Sequence, residues 1–211
     1  MSGADLTGCN LADCLFSACT MPDAVWRHVV ADGLTFNSMD LRGVDFSEMT
    51  VRRMLATAAD LRGARLAGAD LTEYKFVECQ LGGADLRGAS LVRALFADSD
   101  LSAVQFEGAD AREVLFIRSC LANADLSRTD CRRAYFNHAD CVGVCFRGAN
   151  LSYADLSYAD ARGSDFAGAS LLGTMLHGME GKETALSRGQ RAEAGAADEA
   201  RERAERWVPP Y

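Results

Sequence analysis

Several things are missing from this chain of 211 residues, and each absence closes a class of function. No apolar run is long enough to span a bilayer, so a membrane-spanning protein is not expected. The opening MSGADLTGCN has neither the basic start nor the apolar stretch of a signal peptide, which makes a cytoplasmic location the expectation. Positive charge is in deficit: 22 Lys and Arg stand against 30 Asp and Glu, and the formal net charge of −8 argues against direct binding to nucleic acid. Eight cysteines are present, but without export they read as reduced, small apolar side chains and not as a disulfide framework.

What is abundant is a repeat. Steps of five residues from Leu6 to Leu176 meet Leu sixteen times, Phe ten times, Ala four times and Cys twice, with Met21, Trp26 and Val51 completing thirty-five stops. None of these is polar and the phase never slips. Two residues before each stop, from Ala4 to Thr174, 25 of the 35 residues are Ala, Ser, Thr or Cys. A helix would smear this pattern around its surface and a plain strand would send it to both faces. Only a chain that turns at every repeat keeps one large and one small side chain of each repeat inside.

Ala84-Asp85-Leu86, Ala124-Asp125-Leu126, Ala149-Asn150-Leu151 and Ala154-Asp155-Leu156 resemble the A(D/N)LXX motif of the pentapeptide-repeat family. The resemblance covers about residues 4–179. It implies an all-β fold, a right-handed quadrilateral β-helix in which four repeats make one square coil and coils stack as a solenoid. The sequence supports the twenty-residue coil independently. All ten Phe lie at stops and occupy two of the four columns: Phe16, Phe36, Phe76, Phe96, Phe116 and Phe136 in one, Phe46, Phe106, Phe146 and Phe166 in the other. These columns are opposite sides of a square, as rings stacked across a narrow core require. Thirty-five repeats make nearly nine coils, with no interior space for a substrate. Between Val29 and Met54 the small position holds Val29, Leu34, Met39, Val44, Met49 and Met54, followed by Tyr74, which predicts local widening or a distorted face.

The sequence divides into a repeat domain at 1–179 and a tail at 180–211. The first coil, with Leu6, Leu11 and Phe16, has nothing in front of it, so it either meets another chain or frays. In the tail, Ala192, Ala196, Ala200 and Ala204 recur at helical spacing and Pro209 stops the pattern, predicting a short C-terminal α-helix at about 196–207 that reaches back as far as 184. That helix has three open roles: cap of the last coil, contact with a second chain, or mobile appendage. Trp207 and Tyr211 make the terminus a candidate docking segment or cap.

No catalytic constellation is found, and an enzyme is not expected. His28, His138 and His177 fall on different coils, with no Ser or Cys placed to complete a triad. Cys131, His138, Cys141 and Cys145 have metal-like spacing, but the repeat phase points Cys131 and Cys141 inward and the other two outward, so zinc is not expected and no cofactor is implied. Fourteen of nineteen Asp occupy the slot just before the stop, where Asp and Asn bond nearby backbone amides, so much of the acidity has a structural reason.

One outward column departs from this polarity. On the main Phe face the slot holds Leu15, Thr35, Leu55, Lys75, Leu95, Leu115, Tyr135, Asp155 and Met175, with Val77 and Ile117 beside it. Leu15, Leu55, Val77, Leu95, Leu115, Ile117 and Tyr135 are therefore a candidate protein interface. Cover by the tail helix, or leucines exposed without purpose, would account for the same residues. Function divides accordingly. The first reading is a non-enzymatic interaction module, a rigid rod binding a protein partner or itself, with homodimerisation through an end coil or the C-terminal helix. The resemblance adds a second, because some members of the family imitate duplex DNA and bind DNA gyrase, protecting it from quinolones or toxins. Arginines such as Arg87, Arg112, Arg132 and Arg147 interrupt the acidic surface and count against that mimicry. A third, an accessory or adaptor protein of a bacterial secretion system, is consistent with the family but has no motif behind it.

Overall fold

A computed structural model describes residues 3–21, 24–181 and 186–194. Its backbone follows one rule: each residue pairs, in parallel, with the residue twenty positions on. This register runs from Asp5↔Val25 to Asp160↔Glu180, so the chain winds through close to nine coils. The thirty-five stops and the small residues before them point inward. Nearly all are buried, the exceptions being Met49 and the residues of the first coil, such as Leu6, Leu11 and Phe16, which are partly covered.

The repeat around Leu86 shows why five residues suffice for a side of the square. Asp85 N–H donates to the Ala64 carbonyl of the coil before, at 3.0 Å, and Leu86 N–H to the Gln105 carbonyl of the coil after, at 2.8 Å. Gly88 N–H also reaches the next coil, at Glu107 (3.0 Å), and Ala89 N–H closes the turn onto the Leu86 carbonyl (3.1 Å). Only the Arg87 amide has no backbone acceptor. It donates instead to Asp85 Oδ1 at 3.1 Å. The same bond recurs from Thr7 N–H to Asp5 through to Ala167 N–H to Asp165. Buried amides must be paired, and the Asp or Asn of the motif pairs the fifth.

At some of the slots without that carboxylate the chain stays extended for longer. The three-residue strands are β1 (Leu15–Ser17), β2 (Val30–Asp32), β3 (Thr35–Asn37), β4 (Thr50–Arg52), β5 (Leu55–Thr57), β6 (Lys75–Val77), β7 (Leu95–Ala97) and β8 (Leu115–Ile117). Every one begins at a slot that holds neither Asp nor Asn. Six align into a parallel sheet of order β1-β3-β5-β6-β7-β8 on the main Phe face, spanning five turns, and β2 pairs β4 on a neighbouring side. Single-residue bridges carry the same face on through Tyr135 and Asp155 to Met175.

Inside, the Phe columns stack as expected. Phe76, Phe96, Phe116 and Phe136 lie 4.9, 5.4 and 5.0 Å apart between centroids, and Phe106 and Phe146 meet this stack edge-on from the opposite side. Buried hydroxyls among the small residues bond the carbonyl of a stop in the coil before: Ser119 Oγ to Phe96 (3.1 Å), Thr129 Oγ1 to Phe106 (3.1 Å), Thr174 Oγ1 to Leu151 (2.8 Å). The expected distortion over 29–54 does not take the form of a broken register, because Val30↔Thr50 and Asp40↔Asp60 pair like the rest. Large residues at the small position are offset by small ones at the stops, namely Ala31, Val51 and Ala56. The mismatch that remains is a cavity of about 20 Å³ near Ala56's gap in the Phe column, lined by Phe36, Met54, Tyr74 and Phe76 among others. Tyr74 satisfies its hydroxyl on the Val51 carbonyl at 2.8 Å.

At the far end a helix, α1 (188–194), lies against the last coil. Ser187 Oγ accepts from Gln190 N–H (3.2 Å) and Gln190 Oε1 accepts from Ser187 N–H (3.0 Å), a reciprocal cap of the helix start. Gln190 Nε2 also donates to the Phe166 and Ala169 carbonyls at 2.6 and 3.3 Å, and Leu186 and Ala194 are buried. Of the three roles open for the tail, the described part serves as a cap. It also begins earlier than the 196–207 core of the predicted helix. The remainder of that helix, Trp207 and Tyr211 lie outside the described residues.

Nearly every described corner takes a left-handed residue two places after the stop, Glu48 being an exception. Glycine takes it at, for example, Gly108 (φ 68°), but Ala103 adopts φ 54° there. The left-handed region costs an L-residue about 1–2 kcal/mol, against about 0.5–1 kcal/mol of extra chain entropy lost by glycine. Ala103→Gly is therefore expected to stabilise the rod by roughly 0.5–1 kcal/mol in chemical denaturation. Gly108→Ala, whose added Cβ would meet nothing within 4 Å, should destabilise it by a similar amount.

Candidate functional site

The six-stranded sheet gathers the predicted interface residues on one face. In register across β1, β3, β5, β6, β7 and β8 stand Leu15, Thr35, Leu55, Lys75, Leu95 and Leu115, and a second row aligns Val77, Ala97 and Ile117. Tyr135 continues the first row beyond Leu115. Leu15 is 65% exposed, Tyr135 46% and Ile117 36%, while Leu55, Val77, Leu95 and Leu115 are half-buried. The row ends at Asp155, which faces the same way but is buried. All seven candidates thus share one surface, with Lys75 the single charge inside it.

The corners on either side of this face carry residues that sequence reasoning passed over. Glu73, Arg93, Glu113 and Arg133 precede successive strand positions, and Tyr153 follows them, 58% exposed. Glu78, Asp98, Arg118 and His138 follow the strand positions. Within these corners Arg93 pairs with Glu73 at 3.1 Å and Arg118 with Asp98 at 2.6 Å. His138 stacks on Tyr158 with centroids 5.1 Å apart, and His177 meets the same ring edge-on. The signal for all of these was the twenty-residue offset, which becomes visible once the columns are drawn.

The other faces are polar for a local reason. Arg42, Arg62, Arg87, Arg112, Arg132 and Arg162 each fold back onto the Asp two residues earlier. In Arg87, Nε donates to Asp85 Oδ1 at 2.9 Å and Nη2 to Oδ2 at 2.7 Å. In the Asp40, Asp60, Asp85, Asp110 and Asp160 pairs, the bond from the arginine side chain holds the carboxyl below its usual range. One Asp therefore accepts from a backbone amide and from a guanidinium at once, and much of the acidity is neutralised where it stands.

All eight cysteines are free. Cys131 and Cys141 are buried inside while Cys145 and His138 face outward, and among the described residues no group of His, Cys, Asp and Glu is arranged to hold a metal ion. Burial pushes the Cys79 thiol up to about 11, far from a reactive thiolate. Trp26 Nε1 is buried with no hydrogen-bond partner. No described helix is long and apolar enough to cross a membrane.

A square coil of five-residue sides, with Asp or Asn recurring at the bends, is the architecture of pentapeptide-repeat proteins. The chain belongs to that family: its profile, described as Pentapeptide repeats, matches eight copies over residues 9–47, 79–116, 116–152 and 145–178. The right-handed quadrilateral β-helix expected from the motif is thus the fold of this protein. Among solved structures the chain is similar to HetL of the cyanobacterium Nostoc, a pentapeptide repeat protein involved in heterocyst differentiation regulation. The two are 30% identical over 85% of this chain and 84% of that one, with a TM-score of 0.48. A pentapeptide repeat protein of the Arabidopsis thaliana thylakoid lumen is 28% identical over 56% of this chain and 88% of its own, with a TM-score of 0.48. QnrB1, a plasmid-mediated fluoroquinolone resistance protein, is 17% identical over 93% and 95%, with a TM-score of 0.44. No curated protein sequence matches the chain.

The Asp–Arg pairs make a pH prediction. An unfolded Asp titrates near 3.9, and the folded Asp85 carboxyl lies lower, so over that interval the folded state binds fewer protons. Its contribution is complete above about pH 5 and is lost as pH falls through the folded value. Asp85→Asn keeps an acceptor for the Arg87 amide, as Asn150 does for Ser152 at 3.1 Å, but loses the charge. It should lower the urea midpoint slightly at pH 7 and converge with wild type as pH approaches 2. Asp85→Ala, which also orphans the amide, should stay less stable than wild type by about 1 kcal/mol throughout.

Proposed function

We propose that this protein is a non-enzymatic interaction rod whose contact surface is the six-stranded face. One observation carries the reading: outward apolar side chains concentrate on a single side of the square, on its most regular backbone, while the other sides hold mainly Asp, Asn, Ser and Arg. Contiguous exposed apolar surface on a small protein marks contact with another macromolecule. The packed interior supports the same conclusion from the negative side, since the cavity of about 20 Å³ holds no more than a water molecule. A duplex-DNA-like role at gyrase is less favoured, because mimicry needs free, phosphate-like charge and the arginines neutralise the carboxylates in place.

Leu95→Asp combined with Leu115→Asp places two charges in the middle of the face. Both side chains point outward, so the melting temperature should change by only a few degrees. Capture of a protein partner, read by photo-crosslinking from a probe residue at Val77, should fall at least tenfold. Undiminished crosslinking in the double variant would remove this face as the contact surface.

A further inference from the structure

Charges at the two corners of the strand face follow a pattern that one rod alone does not explain. Along the corner that precedes the strands the order is Glu73, Arg93, Glu113, Arg133. Along the corner that follows them it is Glu78, Asp98, Arg118, His138. Reflect either row through the point midway between β7 and β8 and each Asp or Glu meets an Arg or His. Glu73 exchanges with Arg133, Arg93 with Glu113, Asp98 with Arg118 and Glu78 with His138. Between the corners the same operation sets Leu95 against Leu115 and Lys75 against the exposed Tyr135 ring.

Stacking within one rod accounts for part of this order, in the Glu73–Arg93 and Asp98–Arg118 pairs. It leaves Arg133 exposed and with no ion-pair partner among the described residues. A charge pattern inverted by a two-fold operation is self-complementary, which is the requirement of an isologous interface. We infer that two copies of this chain associate through their strand faces, side by side and antiparallel, about a two-fold axis that passes between β7 and β8. The inference deepens the proposed function by naming a second copy as an occupant of the same face. Arg93 then opposes Glu113 of the second copy, Asp98 opposes Arg118, Glu73 opposes Arg133, and Lys75 lies over Tyr135, where a cation is favoured. Leu95 and Leu115 are desolvated at the centre, with charges at the rim, the usual anatomy of a contact.

A parallel arrangement of the rods is less favourable. It sets each corner against the opposite corner of the same coil, so Glu73 would meet Glu78 and Arg133 would meet His138. The Lys75 and Tyr135 positions stand only three coil spacings of about 4.8 Å apart, so the contact is small and a weak, reversible dimer is expected.

Charge swaps between copies test this without relying on any variant's loss alone. In sedimentation equilibrium at about 100 μM, wild type should have twice the 22.7 kDa mass of the chain. Arg93→Glu and Glu113→Arg should each reduce it to one chain, since each sets like charges opposite one another twice. An equimolar mixture of these two variants should return to twice the chain mass, because every 93–113 contact in the mixed pair is again of opposite sign. That rescue also shows that both variants are folded. A single-chain mass for wild type, unchanged dimers in both variants, or a mixture that stays at one chain would overturn the inference. So would rescue by Arg93→Glu mixed with Asp98→Arg, which is complementary only in the parallel arrangement. A monomeric wild type would leave the partner contact tested by the Leu95 and Leu115 charges standing, so the two readings fail separately.

Discussion

The bond from a slot carboxylate to the amide two residues on is the interaction on which this architecture depends. Stacking coils in parallel register gives each repeat four backbone partners for five amides. The fifth amide points along a bend that no neighbouring coil reaches. An Asp or Asn one residue before the stop supplies the missing acceptor at about 3 Å and fixes the bend at the same time. The bond recurs at all sixteen slots that hold Asp or Asn, and the twenty-residue register continues through slots that lack it, such as Gln80 and Gln105. Strands appear only at slots without Asp or Asn, eight of them holding Leu, Thr, Val or Lys, while Thr20 and Val25 form single bridges.

This same economy shapes the surface. A fold that places Asp at fourteen of its thirty-five slots would carry unopposed acidic rows, which repel one another. Arginine two residues later occupies the free oxygen of the same carboxylate and relieves that repulsion locally. Polar faces built this way are largely self-contained, with their hydrogen-bonding capacity already used. The strand face has no such arrangement, and its side chains are available to another surface. Apolar outward side chains and extended strands therefore coincide on one side of the square.

Much of this was legible before any coordinates. The unbroken phase from Leu6 to Leu176 dictates which residues are inside, and the segregation of Phe into two columns dictates the twenty-residue coil. The seven residues of the apolar face were identifiable from one column, which holds five of them, and the row beside it, which holds Val77 and Ile117. The helix start at Ser187 was legible too, because Ser187-x-x-Gln190 is a capping pattern, but the alanine spacing further along drew attention past it. Other features were hidden for physical reasons. Bulky residues between Val29 and Met54 suggested distortion, yet volume is exchanged across the core and Ala31, Val51 and Ala56 absorb it. The inverted charge order at the corners has no meaning along the sequence, since its members stand twenty residues apart and acquire neighbours only on winding. Arg133 looks like an ordinary loop residue until the corner places it beside Leu115 and Tyr135.

The void beside Ala56 divides the interior. On its N-terminal side Phe16, Trp26, Phe36 and Phe46 contact one another as a tilted and edge-on cluster. On the other side the rings from Phe76 onward form a continuous stack joined to Phe106 and Phe146. Among the described residues no ring contact bridges the two groups, and only Tyr74 leans across, tied to the Val51 carbonyl. In a solenoid each coil senses only its neighbours, so a soft seam limits how far cohesion propagates. Ring-to-ring cohesion in the core is therefore interrupted at this level, while the backbone register from β5 to β6 runs through it unbroken.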